Sequence, residues 1–292
     1  MIAWYILALI AALFSASAAI VEKKVLFKEK ALSFSTTLAI FNLVLAIPFF
    51  FFIDQSKLTT ISLLVLFFKS ILGALAFLCV MIGIKNLELS RALPLLVLTP
   101  GLVAITAFLV LGESLGGFQL QGLVLLLVGT YLLQLGEHEK PEGPFQHFKK
   151  AKGHKYIIFA LILFTITSIL DKVLLSNFKL PINAFMGFQH LFLGIIFLIF
   201  MLIKGNIKEL KPTFKNSWKW ILLLAVFTIT YRYVHISAVK AAASVALVLA
   251  LKRVSVFFAT VVGGKIYKEH DLVKRAVATL IMVIGAMLVI LN

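Results

Sequence analysis

Residues 92–135 read ALPLLVLTPGLVAITAFLVLGESLGGFQLQGLVLLLVGTYLLQL, and this stretch decides the fold class. A single charged residue, Glu113, lies between its two long apolar runs. The hydrocarbon core of a bilayer needs about 20 apolar residues for each helical crossing, and both runs approach that length. Apolar and polar residues do not alternate here as they would in a transmembrane barrel. The stretch therefore predicts two membrane-spanning helices, at 91–111 and 117–135.

The rest of the chain has the same character. It is 62% hydrophobic, whereas a soluble domain is about 45–50% apolar, and its mean hydropathy is +1.08. Charged and turn-forming residues divide it into apolar runs that predict helices at 2–21, 34–53, 70–84, 91–111, 117–135, 156–175, 185–203, 218–238, 244–263 and 272–291. Segment 58–68 is expected in the membrane interface before the third helix. The sequence thus predicts an all-α integral membrane protein with ten transmembrane helices.

The polar stretch 136–155 is predicted to be a linker between two five-helix repeats, 1–135 and 156–292. Motifs recur in the same order in both: Glu22-Lys23 with Asp171-Lys172, Gly112-Glu113 with Lys268-Glu269, and Gly129 with Gly285. Because five is odd, the second copy must enter the membrane from the opposite side. This predicts inverted repeats, an architecture that places substrate sites near the membrane midplane.

The distribution of charge also limits the function and the topology. The net charge of +16 does not indicate nucleic-acid binding, because the basic residues form no single tract. Most of them fall between helices 1/2, 3/4, 5/6, 7/8 and 9/10, so the positive-inside rule predicts a cytoplasmic linker and both termini outside a cell membrane. No positively charged region precedes the first apolar run, which predicts a retained helix and not a signal peptide. The lone cysteine, Cys79, cannot form an internal disulfide.

Lys252 and Arg253 are the first candidate site residues, because they fall in the middle of predicted helix 9. A cation at that depth costs about 2.5–3.5 kcal/mol on insertion scales, which favours a functional interpretation. The alternative is a structural pair held by backbone carbonyls or by a carboxylate.

Helices 4, 7 and 8 supply further candidates. Arg232 and His235 share a face of helix 8 with Thr228, and Tyr231 and Tyr233 could line the same mouth. Arg232 could instead extend toward the membrane surface. Thr99 belongs to a Thr99-Pro100-Gly101 motif that either frees backbone carbonyls for a ligand or only kinks helix 4 for packing. Gln189 and His190 lie near mid-depth in helix 7, where polar side chains commonly join helices.

A family resemblance follows from these motifs. The acid-Lys pair at the end of helix 1, the later Gly-Glu and Gly-bearing helix, and the repeat of this order resemble the drug/metabolite transporter superfamily. Residues 93–133, with Thr99-Pro100, Gly112-Glu113 and Gly129, resemble an EamA domain. Leu251-Lys252-Arg253-Val254, followed by Gly263-Gly264, resembles the plastid sugar-phosphate translocators. That local resemblance implies that Lys252 and Arg253 bind a phosphate or carboxylate of the substrate.

The carboxylates lie near helix ends in this reading, while cations lie at mid-depth, so we expect the cavity to prefer an anion. The predicted function is a secondary transporter of a small anionic or zwitterionic metabolite, working by alternating access around a midplane site. An amino-acid or broad-specificity metabolite exporter is the alternative within transport, and a non-transporting membrane scaffold or partner subunit is the alternative outside it.

No enzymatic activity, cofactor or metal is expected. The sequence has no HExxH motif, no His-rich or Asp-rich cluster and no Gly-x-Ser-x-Gly elbow. The expected partners are a metabolite bearing a carboxylate or phosphate and the lipid bilayer, with no nucleic acid. A homodimer is left open.

Overall fold

The computed structural model of the protein describes residues 3–86, 99–134, 154–255, 258 and 272–290. The described helices are α1 (Trp4–Leu26), α2 (Ala31–Phe50), α3 (Thr60–Asn86), α4 (Thr99–Leu111), α5 (Gly117–Gln134), α6 (His154–Ser176), α7 (Ile182–Ile203), α8 (Leu210–Ala241), α9 (Val245–Lys252) and α10 (Leu272–Ile290). Short 3-10 turns at Gln55–Lys57 and Ile207–Glu209 precede α3 and α8. Within these residues there is no β-strand.

Six of these helices are long and apolar enough to cross a membrane, namely α1, α2, α3, α6, α7 and α8. Shorter apolar helices lie at Thr99–Leu111, Gly117–Gly129 and Leu280–Val289. Large apolar side chains such as Leu109, Ile203 and Met287 are exposed on the outer faces, where they can contact lipid tails. The prediction of an all-α, multi-pass membrane protein is confirmed.

The third helix begins earlier than the sequence predicted. It starts at Thr60, so segment 58–68 largely belongs to α3 and is not an interfacial segment before it. Lys69, which the sequence placed ahead of the helix, is only 2% exposed within α3. The prediction was wrong because it treated this lysine as a helix boundary, whereas Asp171 of α6 pairs with it inside the protein.

Other boundaries shift where a helix carries charge beyond its apolar run. α1 continues to Leu26, so Glu22-Lys23 lies within the helix and does not close it. α8 spans 32 residues from Leu210 and includes the polar turns that precede the predicted start at 218. The exposed Lys211, Lys215 and Lys219 continue the helix, because an exposed lysine does not oppose helix formation.

Several sequence predictions lie wholly or partly outside the described residues. They include the first half of predicted helix 4, most of the 136–155 linker, most of the second half of predicted helix 9 with Gly263-Gly264, and the segment containing Lys268-Glu269. The described part of the ninth helix, Val245–Lys252, has Arg253 as its C-cap. Val254, Ser255 and Phe258 are also helical, and the remaining part of predicted helix 9 lies outside the described residues.

The two halves pack helix against helix. α1 packs on α8, α3 on α6, α2 on α7, α4 on α9 and α5 on α10. The α5–α10 contact is close because small residues line it: a Cβ atom added to Gly122 would lie 2.6 Å from the carbonyl oxygen of Gly285, and one added to Gly129 would lie 2.9 Å from that of Ala278. Gly122 precedes Gly129 in α5, whereas its contact Gly285 follows Ala278 in α10, so these two helices run antiparallel.

Candidate functional site

A cavity of about 260 Å³ lies between the two halves of the bundle. Its wall includes side chains from α1, α2, α3, α4, α6, α7 and α8, and from α9 with the residues that follow it. All the residues that the sequence singled out for binding lie on this wall: Lys252, Arg253, Arg232, His235, Thr99 and Tyr231. The structure thus brings together residues from three separate helices of the prediction.

The Lys-Arg pair contacts two of the other predicted residues directly. The Arg253 guanidinium donates a hydrogen bond to the Thr99 hydroxyl over 2.9 Å. The Lys252 ammonium lies 4.7 Å from the centre of the Tyr231 ring, within the range of a cation–π contact. Lys252 is the last residue of α9, and Arg253 is its C-cap.

The residues of α8 divide between the cavity and the outer surface. Arg232 and His235 reach the cavity together with Thr228, and the Arg232 Nε and His235 Nδ1 atoms are buried there without a hydrogen-bond partner. Arg232 therefore does not extend to the membrane surface. Tyr233 lies on another face of α8 and stacks on Phe49, with ring centres 5.6 Å apart, so the suggestion that it lines the mouth is not supported.

Sequence reasoning missed an ion pair in the same wall. The Lys69 ammonium lies 2.7 Å from the Asp171 carboxylate, and both side chains are largely buried. The Lys69 ammonium also lies 4.8 Å from the centre of the Phe185 ring. A usable signal was present, because Lys69 interrupts an otherwise apolar run from 60 to 84. A single lysine inside such a run is better explained by an internal partner than by a helix end.

The cavity wall therefore carries an excess of positive charge. The part of the wall that the structure describes contains one carboxylate, Asp171, and four cations: Lys69, Arg232, Lys252 and Arg253. Lys252 also interacts electrostatically with the carboxylate of Glu22. Removing several cations from water is expensive unless an anion compensates them. A guanidinium offers a planar fork to carboxylate or phosphate, and an ammonium offers a point charge, so this wall can hold an anionic group.

Uncharged polar side chains form another part of the wall. Ser35 and Asn42 of α2 lie there with Gln189 and His190 of α7. All four residues are buried, and each has at least one polar atom without a hydrogen-bond partner. The sequence had indicated the α7 pair by its depth but gave no reason to select the α2 pair. Among the described residues, no group of His, Cys, Asp and Glu side chains could hold a metal ion.

The family comparison agrees with this architecture. The profile of the EamA-like transporter family matches residues 2–135 and again residues 151–291. Of 29 matching chains from solved structures, one crystal structure aligns with 99% of this chain and 98% of its own, with a TM-score of 0.75 and 14% identity. At that identity the likeness shows the fold alone. No curated protein matches the sequence. Two profile matches that together span nearly the whole chain show that it belongs to the EamA-like transporter family.

Proposed function

We propose that the protein is a secondary transporter that carries a small anionic metabolite across the cell membrane by alternating access. The observation that carries this proposal is the excess of cations around one buried cavity, four against one carboxylate among the described wall residues. Lys252 and Arg253 hold the anionic group, and Arg232 adds to the positive field. Thr99 orients the Arg253 guanidinium through the hydrogen bond between them.

The size of the cavity supports a small substrate. Its volume of about 260 Å³ falls just below the range of roughly 300–1,000 Å³ that is typical of pockets for drug-sized ligands. A metabolite with few carbon atoms fits this space better than a nucleotide or a bulky drug. The substrate class is therefore a small carboxylate or phosphate.

The transport cycle in this proposal rests on two inverted five-helix repeats, 1–135 and 156–292. Support comes from α5 and α10: Gly122 meets Gly285, and Gly129 meets Ala278. Suppose that the repeats align with Gly129 on Gly285 and Gly122 on Ala278. Exchanging the two halves then turns the Gly122–Gly285 contact into the Ala278–Gly129 contact, as a two-fold relation requires. Because α5 and α10 are antiparallel, a two-fold axis relating them runs across the helices and so in the membrane plane. Rocking of the halves about such an axis would expose the cavity to each side in turn.

The orientation is part of the proposal. The 136–155 linker lies in the cytoplasm with both termini outside, because most loop Lys and Arg residues share the side of the linker. The placement of Lys69 inside α3 removes one lysine from the opposite side and so strengthens this imbalance.

One observation favours a second candidate, an amino-acid or broad-specificity metabolite exporter. Asp171 places a carboxylate in the cavity wall, where the amino group of a zwitterion could contact it while the Lys-Arg pair holds the carboxylate. Asp171 is already paired with Lys69 in this structure, which makes this the second candidate and not the first.

Purified protein tests both candidates. Thermal shift is measured with phosphorylated sugars, carboxylates, nucleotides and amino acids, since a ligand that binds the native state stabilises it by RT ln(1 + [L]/Kd). Each stabilising ligand is then tested for counterflow in proteoliposomes. Counterflow of a carboxylate or phosphate supports the proposal, and counterflow restricted to amino acids supports the second candidate. Absence of counterflow for every ligand would favour a non-transporting scaffold or partner subunit.

A further inference from the structure

The proposed function assigns no role to the uncharged polar part of the cavity wall, which is formed by Ser35, Asn42, Gln189 and His190. These side chains are buried to a degree that is unusual for polar groups without partners: Asn42 is 6% exposed, Gln189 is 2% exposed and His190 is 1% exposed. The atoms without a partner are Ser35 Oγ, Asn42 Oδ1, Gln189 Oε1 and both imidazole nitrogens of His190. All four residues line the cavity, so a bound molecule can reach them.

Polar atoms buried without partners are rare in proteins, because each loses its hydrogen bonds to water on folding. A cluster of them on two adjacent helices calls for a common partner. α2 and α7 pack against each other, so the cluster forms one continuous patch on the wall. Neighbouring polar side chains in the same region are already satisfied. Thr37, for example, donates to the Ser33 carbonyl of its own helix over 2.8 Å. On α2, therefore, the polar side chains without a partner are the two that line the cavity, Ser35 and Asn42.

The chemistry of the patch identifies the group it can bind. The amide oxygens of Asn42 and Gln189 accept hydrogen bonds, and an imidazole offers one nitrogen as an acceptor. These acceptors require donors, which in a small metabolite are hydroxyl or ammonium groups. The Ser35 hydroxyl and the protonated imidazole nitrogen of His190 are themselves donors, so the patch also requires acceptors. A hydroxyl group both donates and accepts, whereas an ammonium group only donates, so hydroxyl groups are the matching partners.

The patch and the Lys-Arg pair occupy different parts of the cavity. The patch belongs to α2 and α7, which pack on each other, whereas Lys252 belongs to α9, which packs on α4 and α1. The patch and the Lys-Arg pair therefore lie on different walls of the cavity. A molecule that contacts both ends must carry an anionic group at one end and hydrogen-bond donors at the other.

We propose that Ser35, Asn42, Gln189 and His190 form a hydroxyl-binding subsite, and that the substrate is a hydroxylated small carboxylate or phosphate. This proposal rests on the proposed function, because it assumes that the Lys-Arg pair holds the anionic end. It also favours the first candidate, since an α-ammonium group lies beside the carboxylate of an amino acid and does not reach a separate subsite.

Matched ligand pairs test the subsite directly. Binding is measured on purified full-length protein by calorimetry with glycerol 3-phosphate and n-propyl phosphate, which share their carbon number and anionic group but differ in two hydroxyls. Glycerate and propionate form the corresponding carboxylate pair. In at least one pair the hydroxylated ligand should bind about tenfold more tightly, as two added hydrogen bonds predict. O-phosphoethanolamine, which carries an ammonium group, should bind no better than n-propyl phosphate.

Variants then assign the preference to the patch. Asn42→Leu and Gln189→Met remove the acceptors at nearly constant volume, and both should fold because replacing an unsatisfied buried polar group is close to neutral for stability. Each should reduce the preference for the hydroxylated ligand severalfold while leaving binding of the plain anion unchanged. Thr165→Val is the control, because the Thr165 hydroxyl already donates to the Leu161 carbonyl within its own helix over 2.9 Å; it should keep the preference.

The outcomes separate this proposal from the proposed function. Equal affinity of the wild-type protein for both members of each pair would overturn the subsite while leaving the anion site intact. Parallel loss of both affinities in Asn42→Leu and Gln189→Met would also overturn it, because those residues would then support the cavity in general. If none of these anions binds the wild-type protein, the proposed function fails and the subsite fails with it.

Discussion

The Lys69 ammonium lies 2.7 Å from the Asp171 carboxylate, and this ion pair joins α3 in the first half of the chain to α6 in the second. It lies in the wall of the cavity between the halves. The pair therefore connects α3 to α6 and reduces the net positive charge of the cavity wall. Its energetic contribution can be measured separately from transport.

Asp171→Asn is expected to destabilise the protein by about 3–5 kcal/mol, because it leaves Lys69 as a buried cation without its carboxylate partner. The measurement is the unfolding free energy, or the melting temperature, of purified protein in detergent. Asp54→Asn is the matched control: Asp54 pairs with Lys57 over 2.9 Å at an exposed site, where an ion pair contributes about 0–1 kcal/mol. Equal losses of unfolding free energy in both variants would show that the buried pair contributes no more to stability than the exposed pair.

Replacement of the whole pair should behave differently from loss of one partner. The double variant Lys69→Met, Asp171→Leu removes both desolvated charges, and such replacements are commonly neutral or stabilising by about 1–4 kcal/mol. A melting temperature at or above that of the wild type is expected. If the double variant is as unstable as Asp171→Asn, the destabilisation does not come from an unpaired charge.

The contact of α5 with α10 requires glycine at 122. Gly122→Ala should cost about 1–3 kcal/mol through overpacking, because the new Cβ would lie 2.6 Å from the Gly285 carbonyl oxygen and rigid backbone cannot easily move. Gly73→Ala is the control, since a Cβ there has no neighbour within 4 Å, and alanine is favoured over glycine in a helix by up to about 1 kcal/mol. A Gly122→Ala melting temperature equal to that of Gly73→Ala would refute the close packing.

Glu29 connects the α1–α2 turn to α8. Its carboxylate accepts hydrogen bonds from Thr213 over 2.7 Å and from Ser217 over 2.6 Å. Because these bonds involve a buried charged group, Ser217→Ala should reduce stability by about 1.5–3 kcal/mol. Ser237→Ala, which removes an exposed hydroxyl bonded to the Tyr233 carbonyl of the same helix, should change it by less than about 0.5 kcal/mol. The difference in melting temperature between these two variants is the test.

The proposed orientation can be measured by labelling intact cells with a membrane-impermeant thiol reagent. Cys79 is the only cysteine, so Cys79→Ala provides a background without thiols. In that background, Gln146→Cys in the linker should be protected, whereas a cysteine at either terminus should react. Labelling of Gln146→Cys combined with protection of the termini would reverse the topology.

The sequence was sufficient for the fold class and for part of the cavity wall, and particular residues show why. Hydropathy located membrane helices because a lipid bilayer requires long apolar runs. The predicted depth of Lys252, Arg253 and Arg232 in the membrane identified them as cations that are energetically costly to bury. Lys69 was missed because a lysine between apolar residues was taken as the end of a membrane helix. Its partner Asp171 lies about a hundred positions away, so the sequence does not show that the two residues pair. Asn42 was missed because a lone amide among apolar residues carries no signal until the packing places it on a cavity.

Binding of the substrate's anionic group by Lys252 and Arg253 is tested by counterflow of a stabilising anion in proteoliposomes that contain the Lys252→Gln, Arg253→Gln double variant. Loss of each charged hydrogen bond should cost about 1.5–3 kcal/mol, or roughly tenfold to a hundredfold in affinity. Arg253→Lys should restore little activity if the planar fork binds two oxygens. Lys240→Gln, at an exposed site near the end of α8, is the control and should transport normally. With melting temperatures measured alongside, we expect a folded double variant that does not transport; full transport by that variant would show that Lys252 and Arg253 do not bind the substrate.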